Sequence, residues 1–157
     1  MIFIDGSNLL HSGMRNNLKI DILKLINLLT GDRNLRRVYY YASHKPGDKS
    51  KENFFKFLKE NNILVRTLEA RVRGQSVLEK GVDALIVIDV LTLGFNKAYD
   101  TAILISGDED FCELIEAVKK YGPRVEIASF GDSLSPKLVT CADSVVYLNE
   151  VTDKIKM

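Results

Sequence analysis

The chain is poor in the residues that staple or ligate small folds. It has 2 cysteines, 2 histidines, 3 prolines and no tryptophan among 157 residues. Cys112 and Cys141 make no Cys-x-x-Cys pair, and neither has a histidine at zinc-ligand spacing. A secreted disulfide framework and a zinc site are therefore not expected. Cys112 lies in an apolar stretch and reads as inert core. His11 and His44 are too few for a histidine metal cage, and they do not favour a metal-free, paired-histidine mechanism. Long hydrophobic runs are missing too. The longest, Ala84 to Ile88, is far too short to span a bilayer. The opening Met1-Ile2-Phe3-Ile4-Asp5 has no basic lead-in and no long apolar core, so it does not read as a signal peptide. These absences point to a reducing, cytoplasmic setting without a membrane. Nor is charge of one sign in excess: 22 Lys and Arg face 21 Asp and Glu. That balance excludes a strongly basic nucleic-acid coat but leaves room for a local basic face.

What is present is enough to fold. Hydrophobic residues are 46% of the chain, and a chain of this length buries about 70% of its unfolded surface. No linker, repeat or composition break is visible, so residues 1–157 are expected to form one domain. Short apolar runs alternate with helical patterns. Strands are predicted over Ile2–Ile4, Val38–Ala42, Ile63–Val65, Ala102–Ile105, Val125–Ala128 and Ser144–Tyr147. Helical spacing is predicted over Ile20–Leu29, around Phe54–Leu58, over Val82–Phe95, around Phe111–Val118 and over Ser135–Thr140. Residues 5–8 read as a turn, and the basic stretch Glu69–Gly81 as irregular. Alternating strands and helices imply right-handed crossovers and a mostly parallel sheet. The expected fold is a three-layer α/β/α domain.

Ligands of such sheets bind at the carboxyl ends of the strands, near the switch in strand order. Two acidic turns fall at strand ends. Asp5 follows the first strand, and Ser106-Gly107-Asp108-Glu109-Asp110 follows the strand ending at Ile105. If these strands are neighbours, Asp5 and Asp108 converge, and like charges held close favour a cation between them. Carboxylates with water suit a hard ion, Mg²⁺ or Mn²⁺. Ordinary helix capping also explains Asp5 and Asp108, with Asp110 as a carboxylate matched to the helix dipole. Asp83 and Asp89 interrupt an apolar helix. Asp83, in the first turn, is a candidate third carboxylate. Asp89 is rotated away and suits a hydrogen-bonded or ion-paired buried acid. Ser7, Asn8 and Ser106 are small polar groups beside the turns, fit for water, phosphate or plain capping. Lys80 and Arg73, with Arg66, Arg71 and the Lys45, Lys49, Lys51 group, offer phosphate contacts or simply a solvated face. Tyr39, Tyr40 and Tyr41 read first as core.

Three blocks of residues carry a resemblance. Ile2-Phe3-Ile4-Asp5-Gly6-Ser7-Asn8 resembles the hydrophobic-D-x-x-N opening of NYN domains, which belong to the PIN-like nuclease superfamily. Lys80-Gly81-Val82-Asp83 with Asp89 is similar to their K-x-x-D … D helix, and Ser106-Gly107-Asp108-Glu109-Asp110-Phe111 to their S-G-D-x-D-F turn. Gly122 and Ala142-Asp143 fit as well. The nearest branch is the stand-alone group related to LabA-like proteins. The resemblance implies a PIN-like Rossmannoid fold and a metal-dependent ribonuclease. It makes Asp5, Asp83 and Asp108 the metal-binding acids, with Asp110 as an added acid. It has Asn8 and Ser106 orient water or phosphate, and it turns Lys80 toward the substrate. It also implies single-stranded RNA as substrate, with a second copy or an accessory RNA-binding partner adding affinity. Two other classes compete. One is a non-catalytic RNA-binding or scaffold protein on the same fold. The other is a different magnesium enzyme, but Asp5-Gly6-Ser7 lacks a phosphatase's second acid, and a Toprim site wants glutamate where Asp5 stands.

Overall fold

The computed structural model describes residues 1–73, 76–78 and 81–157, with only the backbone for 71–73 and 76–78. In chain order the elements are β1 (Ile2–Asp5), α1 (Gly6–Arg15), α2 (Ile22–Thr30), β2 (Val38–His44), α3 (Lys49–Glu60) and β3 (Ile63–Glu69). A small antiparallel pair follows, β4 (Arg71–Arg73) and β5 (Ser76–Leu78). Then come α4 (Val82–Phe95), β6 (Thr101–Ile105), a 3₁₀ turn (Glu109–Phe111), α5 (Cys112–Lys119) and β7 (Arg124–Ser129). The chain closes with α6 (Pro136–Cys141), β8 (Ser144–Tyr147), a second 3₁₀ turn (Leu148–Val151) and α7 (Thr152–Ile155).

Six strands form one sheet in the order β3-β2-β1-β6-β7-β8, and every pairing is parallel. The chain builds outward from β1 through β2 to β3, then returns to the centre to lay β6 against β1. That return is the switch in strand order. The fold is the expected α/β/α arrangement. Both faces of the sheet are covered, so β1 is apolar at every position before Asp5 and alternates between two cores. Ile2 and Ile4 pack with Leu25, Leu58 and Ile155 under α1, α2, α3 and α7. Phe3 packs with Ile86, Ile115 and Leu138 under α4, α5 and α6. In α4 the buried residues Val82, Ile86, Val90 and Gly94 recur every four positions, as one helix face requires. No helix among the described residues is long and apolar enough to cross a membrane.

Three features depart from the sequence reading. Residues 6–8 are not a turn, because α1 starts at Gly6 directly from β1. Its buried residues are Gly6, Leu9, Ser12 and Gly13. Three of these four are small, so the apolar periodicity that marks other helices is absent. Gly6 packs on the Tyr40 ring, where an added Cβ would fall 2.5 Å from the ring carbon Cζ. The close approach of helix to sheet replaces a hydrophobic stripe. Within the stretch read as irregular, β4 and β5 pair antiparallel. Finally, Cys112 and Cys141 are not separate core thiols. α5 and α6 bring their Cα atoms to 5.8 Å, and the sulfurs form a disulfide.

Gly107 sits where the β6 turn presses against the loop before α6. A Cβ there would run into the Ser133 carbonyl, a backbone group that cannot swing aside. Gly107→Ala is expected to cost about 1–3 kcal/mol, the usual range for overpacking. Denaturant unfolding of the two proteins, compared at equal slope, measures it.

Candidate metal and phosphate site

The candidate acids are gathered at the carboxyl end of β1 and β6. Register pairs Ile4 with Ile105, so Asp5 and Ser106 are the next residues on adjacent strands. Asp5 is both the end of β1 and the N-cap of α1. One carboxylate oxygen accepts the Asn8 amide at 3.1 Å, and the other accepts the Ser106 hydroxyl at 3.1 Å. Asp5 is buried. Loss of water raises its pKa above the ordinary aspartate value, the two hydrogen bonds pull it back, and the charges of Asp83 and Asp108 push it further up.

The β6 turn is built around the same groups. The Gly107 amide donates to Asn8 Oδ1 at 3.2 Å, so Asn8 ties α1 to this turn. The Asp108 amide donates to Ser106 Oγ at 3.3 Å, and Asp108 caps the 3₁₀ turn by accepting the Asp110 amide at 3.0 Å. Asp83 stands in the first turn of α4. Although the residue is exposed, its carboxyl loses part of its water and faces Asp108 and Asp110. All three effects raise its pKa. Capping and clustering therefore coexist here: Asp5 and Asp108 cap helical turns and also feel one another's charge.

Asp5, Asp83, Asp108 and Asp110 thus share one electrostatic neighbourhood. None of them has an ion pair with a lysine or arginine among the described residues. Also among the described residues, no three acidic, histidine or cysteine side chains stand close enough to enclose a metal. The chemistry of the set suits a hard divalent ion that keeps most of its water, as magnesium does when one or two carboxylates hold it. It does not suit an ion stripped of its hydration shell.

The other candidates separate. Asp89 accepts the Tyr41 hydroxyl at 2.9 Å and faces Arg66 Nε at 3.5 Å, which accounts for its place in an apolar helix. Ser7 is half-buried in the first turn of α1. Lys80 lies outside the described residues, and Arg73 is placed by its backbone in β4. Sequence reasoning passed over the loop that braces the acid turn. Ser12 Oγ meets Ser133 Oγ at 2.6 Å, and Arg15 reaches Asp132 at 3.5 Å. The Ser135 amide donates to the Gly107 carbonyl at 3.0 Å, and its hydroxyl donates to Glu109 at 3.2 Å. These contacts join both α1 and residues 107–109 to residues 132–135 across the gap in sequence. A serine on α1 and two on one loop give no periodic signal, so only the fold reveals them.

A parallel α/β sheet with acids at its strand-order switch defines the class of open α/β proteins whose sites lie at the carboxyl ends of the strands. Residues 1–149 match the NYN domain, and the chain belongs to that family. NYN domains form part of a nuclease superfamily. The chain is 26% identical to the low amplitude and bright protein LabA of Synechococcus elongatus, over 99% of this chain and 86% of LabA. It is 35% identical to the uncharacterized protein y4oD of Sinorhizobium fredii, over 47% of this chain and 36% of y4oD. A crystal structure of a protein of unknown function from Vibrio parahaemolyticus superposes with a TM-score of 0.82. It shares 22% identity and covers 99% of this chain and 94% of that one.

Two predictions follow from the geometry. Tyr41→Phe removes a hydrogen bond to a charged, half-buried acid, so stability is expected to fall by about 1.5–3 kcal/mol in chemical unfolding. Asp5→Asn keeps an oxygen for the Asn8 amide and removes the buried charge. Because the folded-state pKa of Asp5 is raised, its ionised form costs stability at neutral pH. That cost is relieved as pH falls toward 3.8, the ordinary value. Asp5→Asn is therefore expected to melt a few degrees above the wild type at pH 7 and to lose this lead in acid. Thermal unfolding across that range checks it, and equal melting at pH 7 contradicts it.

Proposed function

We propose that this chain is a metal-dependent ribonuclease that hydrolyses phosphodiester bonds of single-stranded RNA, and that residues 1–157 act as one NYN unit in the cytoplasm. The observation that carries the reading is the acid cluster. Asp5, Asp83 and Asp108 come from three separate elements, the charge of Asp108 holds protons on both Asp5 and Asp83, and none of the three has an ion pair with a lysine or arginine among the described residues.

Asp5, Asp83 and Asp108 would hold Mg²⁺ or Mn²⁺, and Asp110 would act from the rim. When bound, such an ion activates water and offsets charge on the scissile phosphate. Ser106 fixes the Asp5 carboxylate by donating to one of its oxygens. Asn8 holds the β6 turn in register with α1, so Asp5 and Asp108 keep their spacing. Ser7 and Asn8, at the start of α1, lie where a phosphate oxygen can approach a helix N-terminus. Lys80, which the family resemblance turns toward substrate, and Arg73 would offset phosphate charge. No side-chain nucleophile is required, since water attacks.

A second reading, a non-catalytic RNA-binding scaffold on the same fold, draws on the absence of a closed three-ligand cage among the described residues. Two experiments separate them. A labelled single-stranded RNA incubated with Mn²⁺ is expected to be cut, with the rate down at least about a hundredfold in Asp108→Asn, the loss typical of removing one transition-state contact. Calorimetric titration with Mn²⁺ is expected to show binding in the wild type and weaker binding in Asp108→Asn. No cleavage together with no binding at millimolar ion selects the scaffold.

A further inference from the structure

Beside the acid cluster lies a cavity of about 660 Å³, bounded by α1, β2 and α3. Its size falls in the range of ligand sites. It begins at Gly6 and Ser7, the two residues after Asp5, and follows α1 past Met14 to Asn17 and Lys19. From Gly6 to Met14 alone this is about 12 Å of helix. Its walls are mostly apolar, and Leu10 and Met14, which line it, are exposed at 47% and 64%. Phe54 is half-buried on α3, with its ring edge-on to Tyr40 at 5.5 Å.

Three polar features interrupt this apolar lining. Lys51, in the first turn of α3, and Lys19, past the end of α1, both line the cavity, and neither has an acidic partner among the described residues. The Lys51 ammonium donates only to the Ser43 carbonyl, at 3.0 Å. Tyr40 is 93% buried, being 7% exposed. Its hydroxyl has no hydrogen-bond partner among the described residues, although it is not sealed from the cavity. The charge of Asp5 reaches that same hydroxyl, so the cavity and the acid cluster meet at Tyr40 and Gly6.

We propose that this cavity is the track for the RNA strand next to the cut. Bases lie against Phe54 and the Leu10–Met14 face, the Tyr40 hydroxyl bonds a base or ribose, and Lys51 and Lys19 hold backbone phosphates that are more than one nucleotide apart. The proposal rests on the ribonuclease reading above and extends it to a binding site outside the acids. A positive groove with a sequence-tolerant stacking surface is how single strands are held without a base code. The polar features select this occupant over the other chemistries that fit an apolar cavity. An acyl chain would leave the Tyr40 hydroxyl unpaired in the apolar wall, which is costly, and has one charge for two lysines. A strand leaving the acid cluster also needs a path, and this one starts at the residue after Asp5.

The test uses the Asp108→Asn protein, which keeps RNA intact, and a short single-stranded RNA carrying 2-aminopurine. Binding is expected to quench the probe. Phe54→Ala is expected to weaken affinity about tenfold and remove most of the quenching, while Phe54→Tyr keeps both. Lys51→Gln and Lys19→Gln are each expected to lower the slope of log affinity against log salt by about 0.7, the share of one single-strand phosphate contact. Circular dichroism and melting of each variant exclude unfolding as the cause. Unchanged affinity, quenching and slope in all three loss variants overturn the track, as does a protein that binds no RNA. So does displacement of a bound anilinonaphthalene sulfonate by oleate but not by RNA, which assigns the cavity to an amphiphile. The ribonuclease reading is decided separately, by cleavage with the wild type, so the two can fail independently.

Discussion

The parallel pairing of β1 with β6 is the constraint on which the rest of the molecule turns. Ile2, Phe3 and Ile4 lie against Ile103, Leu104 and Ile105 at the centre of the sheet. Both strands are sealed on their two faces, so neither can slip by one residue without moving a whole set of side chains from one core to the other. Fixed register puts Asp5 beside Ser106, and the hydrogen bond between them follows. From there Ser106 positions the Asp108 amide and Asn8 positions Gly107. The acids do not find one another through flexible loops. They are delivered by strands that hydrophobic burial has already locked in place.

The strands were legible because their chemistry is local. Six apolar or β-branched runs gave the sheet, and the nearly continuous apolar character of Ile2–Ile4 and Ala102–Ile105 announced a parallel, doubly covered one. The range of α4 was readable from its largely apolar stretch, Val82 to Phe95. The two acidic turns stood out because Gly and Asp follow a strand in each. Less of the rest could be read. α1 buries glycine and serine, so its helical period carries no hydrophobic signal. The far ends of β2 and β3 run through Ser43, His44, Thr67 and Glu69, polar residues that pair because neighbouring strands do. The disulfide joins two cysteines 29 residues apart, and no spacing rule anticipates a contact made by α5 meeting α6. Asp89 was readable as a hydrogen-bonded or ion-paired acid, but its partners Tyr41 and Arg66, like the contacts of the loop at 132–135, are distant in sequence.

The surface divides its charges unequally around α1. On one side of the helix start are four acids, and along the cavity are Lys51 and Lys19, none of them ion-paired among the described residues. A nearly neutral chain therefore presents two local fields of opposite sign a short distance apart. Net charge hides this arrangement. A polyanion with associated cations would meet both fields at once, its phosphates drawn to the lysines and its counter-ions to the acids.

The disulfide has a topological consequence. Cys112 starts the helix that follows the acid turn, and Cys141 ends the helix that precedes β8, so the bond closes the intervening chain into a ring. β7 lies inside that ring and also inside the sheet, between β6 and β8. A protease that cut at the exposed Arg124, in the ring, would open a loop rather than divide the molecule. The two fragments would travel as one species until the bond was reduced. The larger fragment would keep three of the sheet's five pairings and the smaller would keep one, with the pairing of β6 and β7 held across the cut at the effective concentration of a tethered pair.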